Sequence, residues 1–345
     1  MIDLRTDTVT QPTAAMLAAM QSATQGDDSR DGDPTVIKLE ALAAARTGKE
    51  AGLYMPSGTM TNLVAVLAHT PRAGEVLLER GAHMLNTELG GLAAVAGVFY
   101  KGIPGTRGAM DEAALREAVR PMTRNNFGTA LICMETTHNG AGGMVLPLAH
   151  MQMVHELAAQ HGIPVHTDGA RLFNAAVALG VSAADIARHT DSVCFCVSKG
   201  LSAPVGSVLC GSSAFIERAR PFRRMVGGNM RQAGSIAAAG IVALETMMER
   251  LKDDHATAKK LATGFHAIDT SLADPADVET NIVRVNVRAS GRNAASWAED
   301  FKARGIAVSP ADSVSLRFVT HRHISNTDVD AAISACRAIW NQRDA

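Results

Sequence analysis

Two polar residues stand where apolar runs end. Lys199 closes Ser192-Val-Cys-Phe-Cys-Val-Ser198, and Asp168 follows Ile163-Pro-Val-His-Thr167. Runs of this kind suit strands covered on both faces, so an amine and a carboxylate are expected at the C-terminal ends of two buried strands. A lysine abutting an apolar strand is partly desolvated, which favours the free amine and makes it available to form an imine. A carboxylate beside a pyridine nitrogen keeps that nitrogen protonated, and the protonated ring withdraws electrons from the carbon attached to the imine. Together the pair points to pyridoxal phosphate chemistry. Each residue has a plainer alternative: Asp168 as the cap of the following turn, and Lys199 as a strand-end lysine whose head reaches solvent. Gly169-Ala-Arg171 after the acid, with Ser198 and Gly200 around the lysine, favours the first reading, because the backbone must turn tightly beside a ligand.

A phosphate needs backbone donors and a helix start. Met55-Pro-Ser-Gly-Thr-Met-Thr-Asn62 offers both in the turn Ser57, Gly58 and Thr59, although such a turn also caps many ordinary helices. The chain contains no G-x-G-x-x-G and no G-x-x-x-x-G-K-[ST], so nucleotide-fold readings lack their anchor. His83 is a candidate to stack on a flat aromatic cofactor, or is a satisfied structural histidine. His166 reads as structural. Arg171 and Arg317 are candidates for a carboxylate, which a guanidinium matches bidentately. Arg317 lies inside the apolar strand Val314 to Val319, where a charge demands a partner, and a structural ion pair explains it equally well.

The elements that must position these residues alternate. Glu75–Glu79, Ala96–Tyr100, Ala130–Met134, Ile163–His166, Ser192–Val197 and Ser207–Cys210 read as buried strands, with Asp33–Ala45 and Leu148–Gln160 among the helices between them. This alternation predicts an α/β domain with a mostly parallel sheet. Gln232–Leu251 reads as one long helix closing it. Helices at Ala256–Leu272, Asn293–Gly305 and Thr327–Trp340 and strands at Asn281–Val287 and Ser313–Val319 follow, with Ala273–Asp277 as a loop. A length of 345 residues exceeds the usual single core, so the expected division is a large domain at 1–250, N-terminal segment included, and a small C-terminal α+β domain at 251–345.

With 47% hydrophobic and 19% charged residues the chain suits a compact core, and a net charge of −1 gives no reason to expect nucleic acid or an anionic membrane as partner. The polar N-terminus shows no apolar signal region, and the five cysteines are odd in number and mostly in apolar runs. Reduced core thiols and a cytoplasmic location are therefore expected. No metal-ligand spacing is legible, so no metal is expected.

Read in order, the motifs resemble the L-threonine aldolase family, pyridoxal-phosphate-dependent enzymes of fold type I in the β-eliminating lyase group. The resemblance runs from Ile2-Asp-Leu-Arg-Thr-Asp-Thr-Val-Thr10 through Gly26-Asp-Asp28, Gly32-Asp-Pro-Thr-Val36, Pro56-Ser-Gly-Thr59, Ala82-His83 with Glu88, and Glu135-Thr-Thr-His-Asn-Gly140. It continues through Thr167-Asp-Gly-Ala-Arg-Leu-Phe-Asn174, Ser198-Lys-Gly-Leu201, Pro204-Val-Gly-Ser207, Gly227-Gly228 with Met230-Arg-Gln232, and Arg317-Phe-Val-Thr-His321. It implies an aspartate-aminotransferase-like fold and cleavage of an L-β-hydroxy-α-amino acid to glycine and an aldehyde. It also implies roles: Lys199 as the Schiff-base lysine, Asp168 on the pyridinium nitrogen, and His83 stacked on the ring as first choice for the base. Ser57, Gly58 and Thr59 would hold the phosphate, with Arg231 reaching it from a neighbouring subunit of a homotetramer whose sites lie at a dimer interface. Thr6, Arg171 and Arg317 would grip the substrate carboxylate, Arg171 lying beside the cofactor as well.

Three departures from the family pattern bear on substrate. Arg30 stands where a tyrosine is common, Thr87 where an aromatic residue precedes the glutamate, and Asn125 or Asn126 where a loop histidine is common. Thr87 and the asparagine would widen the pocket for a bulky β-substituent, as in phenylserine. Arg30 would receive a distal anion, as in 3-hydroxyaspartate, or is a solvated loop residue. The competing readings are another pyridoxal phosphate lyase or an aminotransferase on the same fold, because fold does not fix reaction, and a non-catalytic binder of the cofactor.

Overall fold

The computed structural model describes residues 1–342, which divide into two compact units. The larger is formed by Gln11–Ala141 and Val145–Met248; the other by Met1–Thr10, Gly142–Met144 and the chain from Glu249 onward. The first ten residues thus group with the second unit, whereas the sequence reading attached them to the large domain.

The large unit is built on a seven-stranded sheet. Its strands in chain order are β1 (Ala51–Met55), β2 (Glu75–Glu79), β3 (Phe99–Ile103), β4 (Thr129–Glu135), β5 (Val165–Asp168), β6 (Ser192–Cys196) and β7 (Ser207–Gly211). They lie side by side as β1-β7-β6-β5-β4-β2-β3. The pairs from β6 to β3 are parallel, and β7 runs antiparallel to both of its neighbours. Every residue of β5, β6 and β7 is buried, which explains why these strands read as continuous rather than alternating runs.

The sequence reading passed over β1. Its Gly52 is placed where a Cβ would lie 2.6 Å from the carbonyl oxygen of Glu40, so the glycine lets the helix Pro34–Thr47 pack directly on the strand. The strand expected at Ala96–Tyr100 begins three residues later, because Leu92–Ala96 forms a π-helical turn closed by Gly97 at φ 66°. The helices expected over Gln232–Leu251 and Ala256–Leu272 are Gly234–Thr246 and Leu251–His266, so the first ends and the second begins earlier than the pattern suggests, and the turn between them falls where the chain passes between units. Pro275–Asp277, expected as loop, makes one 3₁₀ turn, with Asp274 as cap and proline in its first position.

In the second unit Ile2–Asp3 pairs in parallel with Ile306–Ala307, and Ile282–Asn286, Ser315–Val319 and Ser309–Pro310 form an antiparallel sheet. Helices Leu251–His266, Ala294–Ala303 and Asn326–Asn341 belong to the same unit, whose core includes Leu4, Phe265, Trp297, Phe301 and Phe318. No helix among the described residues is long and apolar enough to cross a membrane.

Candidate active site

Because β7 is antiparallel to both β1 and β6, those two run the same way, and the C-terminal ends of six strands share one edge of the sheet. Ligands of open α/β sheets bind outside such ends. Asp168 is the last residue of β5, in register with Glu135, the last of β4. Cys196 ends β6, and Lys199 follows three residues on. The lysine sits in a short loop whose turns are fixed by hydrogen bonds from Ser202 N to Lys199 O (2.8 Å), Ala203 N to Val197 O (2.9 Å) and Val197 N to Gly206 O (3.0 Å). Ser202 is held at φ 66° and Gly206 at φ 117°, so this path is conformationally specified. Cys196 N donates to Ala170 O (3.3 Å), which ties the lysine's strand to the loop after the acid.

Asp168 is 2% exposed. Its Oδ1 accepts from Ala170 N (2.9 Å) and its Oδ2 from the amide Nδ2 of Asn62 (2.9 Å). The same Asn62 nitrogen donates to Glu88 Oε1 (2.8 Å), and that oxygen also meets His83 Nδ1 (2.9 Å). The His83 backbone is fixed separately, its N–H donating to Glu135 Oε2 (2.7 Å), while Glu135 Oε1 accepts from Asn139 N (2.7 Å). His83, Glu88 and Asp168 each offer an atom within 4.8 Å of the others, a spacing a metal ion could use. The Asn62 amide hydrogens already occupy the gap between the two carboxylates, so the donor set suits a cationic N–H better than a naked cation.

The turn at Ser57, Gly58 and Thr59 starts a helix, as the sequence suggests. Ser57 caps the helix Gly58–His69 by accepting from Met60 N (3.2 Å). A Cβ on Gly58 would lie 2.9 Å from Cys196 Sγ, so the glycine lets the turn press against the end of the lysine's strand. Ser57 and Thr59 are exposed, leaving hydroxyls and first-turn amides presented outward. These features fit a flat pyridine ring with a phosphate arm: a buried acid at one end, a glycine cradle and helix start at the other, and an imidazole alongside. Arg171 is buried in the turn after Asp168, and its carbonyl accepts from Thr137 Oγ1 (2.9 Å). Thr137, β-branched and at φ 60°, is a strained position in the loop that follows Glu135.

Arg231 donates to Ser29 Oγ and stands 3.6 Å from Asp27, and Arg30 lies 3.8 Å from the same carboxylate. Thr87 and Asn125 are exposed. In the second unit Arg317 Nη1 donates to the carbonyl of Arg5 (3.3 Å), so that arginine and the peptide leading into Thr6 are held together. Asn62, Glu88, Glu135 and His166 carry the network, yet strand-end reasoning had assigned them no part in the site. The Glu88 and Glu135 motifs were visible; the hub role of Asn62 had no local signal.

Electrostatics follow from this crowding. The hydrogen bond that His83 donates to Glu88 raises the His83 pKa, with Asp168 and Glu135 adding to it. Burial raises Glu88 and Glu135, and the Asp168 charge raises both further. Behind the site, burial pushes His166 down to about 4 and His69 down to about 3, so both are neutral when folded.

Residues 3–288 match the family described as Beta-eliminating lyase. The chain belongs to that family. It is 41% identical over 345 residues to the probable low-specificity L-threonine aldolase 2 of Arabidopsis thaliana, covering 99% of this chain and 97% of the relative. It is 39% identical to the low specificity L-threonine aldolase of Escherichia coli K12, covering 98% and 99%. Among solved structures, the Leishmania major threonine aldolase superposes with a TM-score of 0.84 at 17% identity over 99% of this chain and 100% of that one. At that identity the likeness speaks for a shared fold, and the curated relatives place the chain among the L-threonine aldolases.

The two neutral histidines set a stability relation. Their folded pKa values lie below the ordinary 6.5, so the unfolded chain takes up protons first. Their contribution is complete above that value and is lost as pH falls towards about 4. The raised carboxylates act with the opposite sign in part of this window, so the informative quantity is a difference. Urea unfolding of the parent and of His69→Gln is expected to show the parent losing its relative advantage as pH falls from 6.5; a pH-independent difference contradicts the assignment.

Proposed function

We propose that this sheet edge cleaves L-threonine and related L-β-hydroxy-α-amino acids to glycine and an aldehyde, with pyridoxal phosphate as cofactor. The observation that carries the reading is the meeting, through Asn62, of the strand-end acid Asp168 with the Glu88–His83 pair, on the edge where the Lys199 loop also emerges. The family and the curated relatives support the same reaction.

When bound, the cofactor supplies an electron sink for the pair released as a bond to the substrate α-carbon breaks. The chain does the rest. Lys199 would hold the cofactor through its amine. Asp168 accepts the ring N–H, in a pocket where water does not compete for the carboxylate. Ser57, Thr59 and the first amides of the helix Gly58–His69 hold the phosphate. Arg171 offers a bidentate fork to a carboxylate, and such a clamp selects which bond lies perpendicular to the ring.

His83 is the base. Glu88 accepts from Nδ1, which fixes the neutral tautomer and leaves the lone pair on Nε2 for the proton of the substrate β-hydroxyl. A homotetramer in the cytoplasm completes the proposal. In it Arg231 of one subunit reaches the phosphate of the next, and Arg30, Thr87 and Asn125 set the substrate range. The exposure of Ser57 and Thr59 in the single chain supports such a neighbour.

Aldehyde release from threonine, phenylserine and 3-hydroxyaspartate tests the reading. Turnover without any keto-acid acceptor is expected, and Lys199→Ala is expected to lose both turnover and the cofactor's visible band. A clear kcat/KM preference for threonine removes the roles given to Arg30, Thr87 and Asn125. Glu88→Gln tests the base: its oxygen keeps both hydrogen bonds without the charge that raises His83. The acid limb of kcat/KM is then expected to move to lower pH, and an unmoved limb excludes His83 as the group that titrates.

A further inference from the structure

The helix Gly58–His69 carries more than the phosphate turn. Thr59, Asn62, Val66 and His69 recur at helical spacing and share one face. From the far end of that face a continuous run of contacts returns to Asp168. His69 Nε2 meets Ser192 Oγ (2.7 Å), Ser192 Oγ meets His166 Nδ1 (2.9 Å), and His166 Nε2 meets Asn62 Oδ1 (3.2 Å). Asn62, Ser192 and His166 are each at most 2% exposed, so no solvent interrupts the run.

The direction of every bond in this run follows from chemistry. Asn62 must aim its NH₂ at Glu88 and Asp168, because the reverse orientation would set its oxygen against two carboxylates. Its Oδ1 therefore accepts, and it does so from His166 Nε2 and from the Cys194 thiol (3.1 Å). His166, neutral in its buried place, then has Nδ1 as acceptor, so Ser192 donates its hydroxyl proton there. Ser192 Oγ is left to accept from His69 Nε2–H. All donors point one way, from the helix end towards the paired carboxylates.

We propose that Asn62 is a positioning residue for the ring-nitrogen acid, and that His69, Ser192 and His166 fix which way round its amide stands. The proposal rests on the reading of Asp168 given above. One amide spans two carboxylates that serve different parts of the bound ring: Asp168 at its nitrogen and Glu88 beneath the imidazole at its face. Removing the amide separates the two settings. Asp168 keeps its bond from Ala170 N and loses the one on Oδ2, while Glu88 keeps His83 alone.

The test uses the holoenzyme carrying pyridoxal phosphate labelled with ¹⁵N in the ring, whose nitrogen shift reports whether that nitrogen is protonated. Asn62→Leu is expected to move the signal towards the unprotonated position and to lower kcat about tenfold or more with KM for threonine nearly unchanged. Ser192→Ala, remote from the cofactor, is expected to show the same changes at smaller amplitude, and Ser192→Thr to restore them. A parental nitrogen signal and kcat in Asn62→Leu overturns the proposal. Should that variant not fold, a parental signal in Ser192→Ala does so. Asp168→Asn separates the two levels: if it leaves the signal unmoved, the reading of Asp168 itself fails, whereas a moved signal there with an unmoved one in Asn62→Leu defeats the Asn62 proposal alone.

Discussion

Three carboxylates buried at one edge of a parallel sheet are the constraint around which the large unit is arranged. Asp168, Glu88 and Glu135 are each under 10% exposed and each feels the charge of another. Removing such groups from water is costly unless every oxygen finds a donor. Here the donors include backbone N–H groups at strand and helix ends, the Asn62 amide and the His83 imidazole, and the His138 imidazole stands 3.9 Å from Glu135. Carboxylates gathered in this way are receptive to a cation, and in the proposed reading a protonated pyridine nitrogen is that cation.

The three acids divide the work by what they hold. Glu135 grips two backbone N–H groups, fixing where the His83 turn begins and where the following loop leaves, with the His138 imidazole 3.9 Å away. Glu88 grips the His83 ring and so selects its tautomer. Asp168, like Glu135, has a donor on each oxygen, one of them the Asn62 side chain. Similar side chains thus acquire different tasks from their partners, and the strained Thr137 sits in the loop that links two of them.

Asp168 and Lys199 were legible in the sequence because each follows an apolar run, a signal contained within about ten neighbouring residues. The helix start at Ser57 and Gly58 was legible for the same reason: a hydroxyl residue and glycine before a helix is a local pattern. Asn62 was not. It meets Asp168 across 106 residues of chain, and its importance exists only once helix register and strand order are set. β1 was missed because Ala51 and Gly52 are poor strand formers, chosen by the helix that lies on them. The shifted bounds of the helices Gly234–Thr246 and Leu251–His266 show the same limit, since nothing local marks where a chain leaves one unit for another. The family resemblance supplied what local pattern could not, naming Glu88 and Glu135 as motif members without giving their reason.

The loop from Val197 to Gly206 is closed on itself by the bond between its ends, and two more bonds brace its interior. A backbone so fastened has little capacity to shift. In the role proposed for Lys199, release and recapture of its partner would proceed by rotation of the methylene stem, a motion far faster than the hinge of a lid. Exchange at this position would then be set by bond making and breaking rather than by the opening of a loop. Lengthening the loop by even one residue would cut that anchorage, trading a rigid post for a tether.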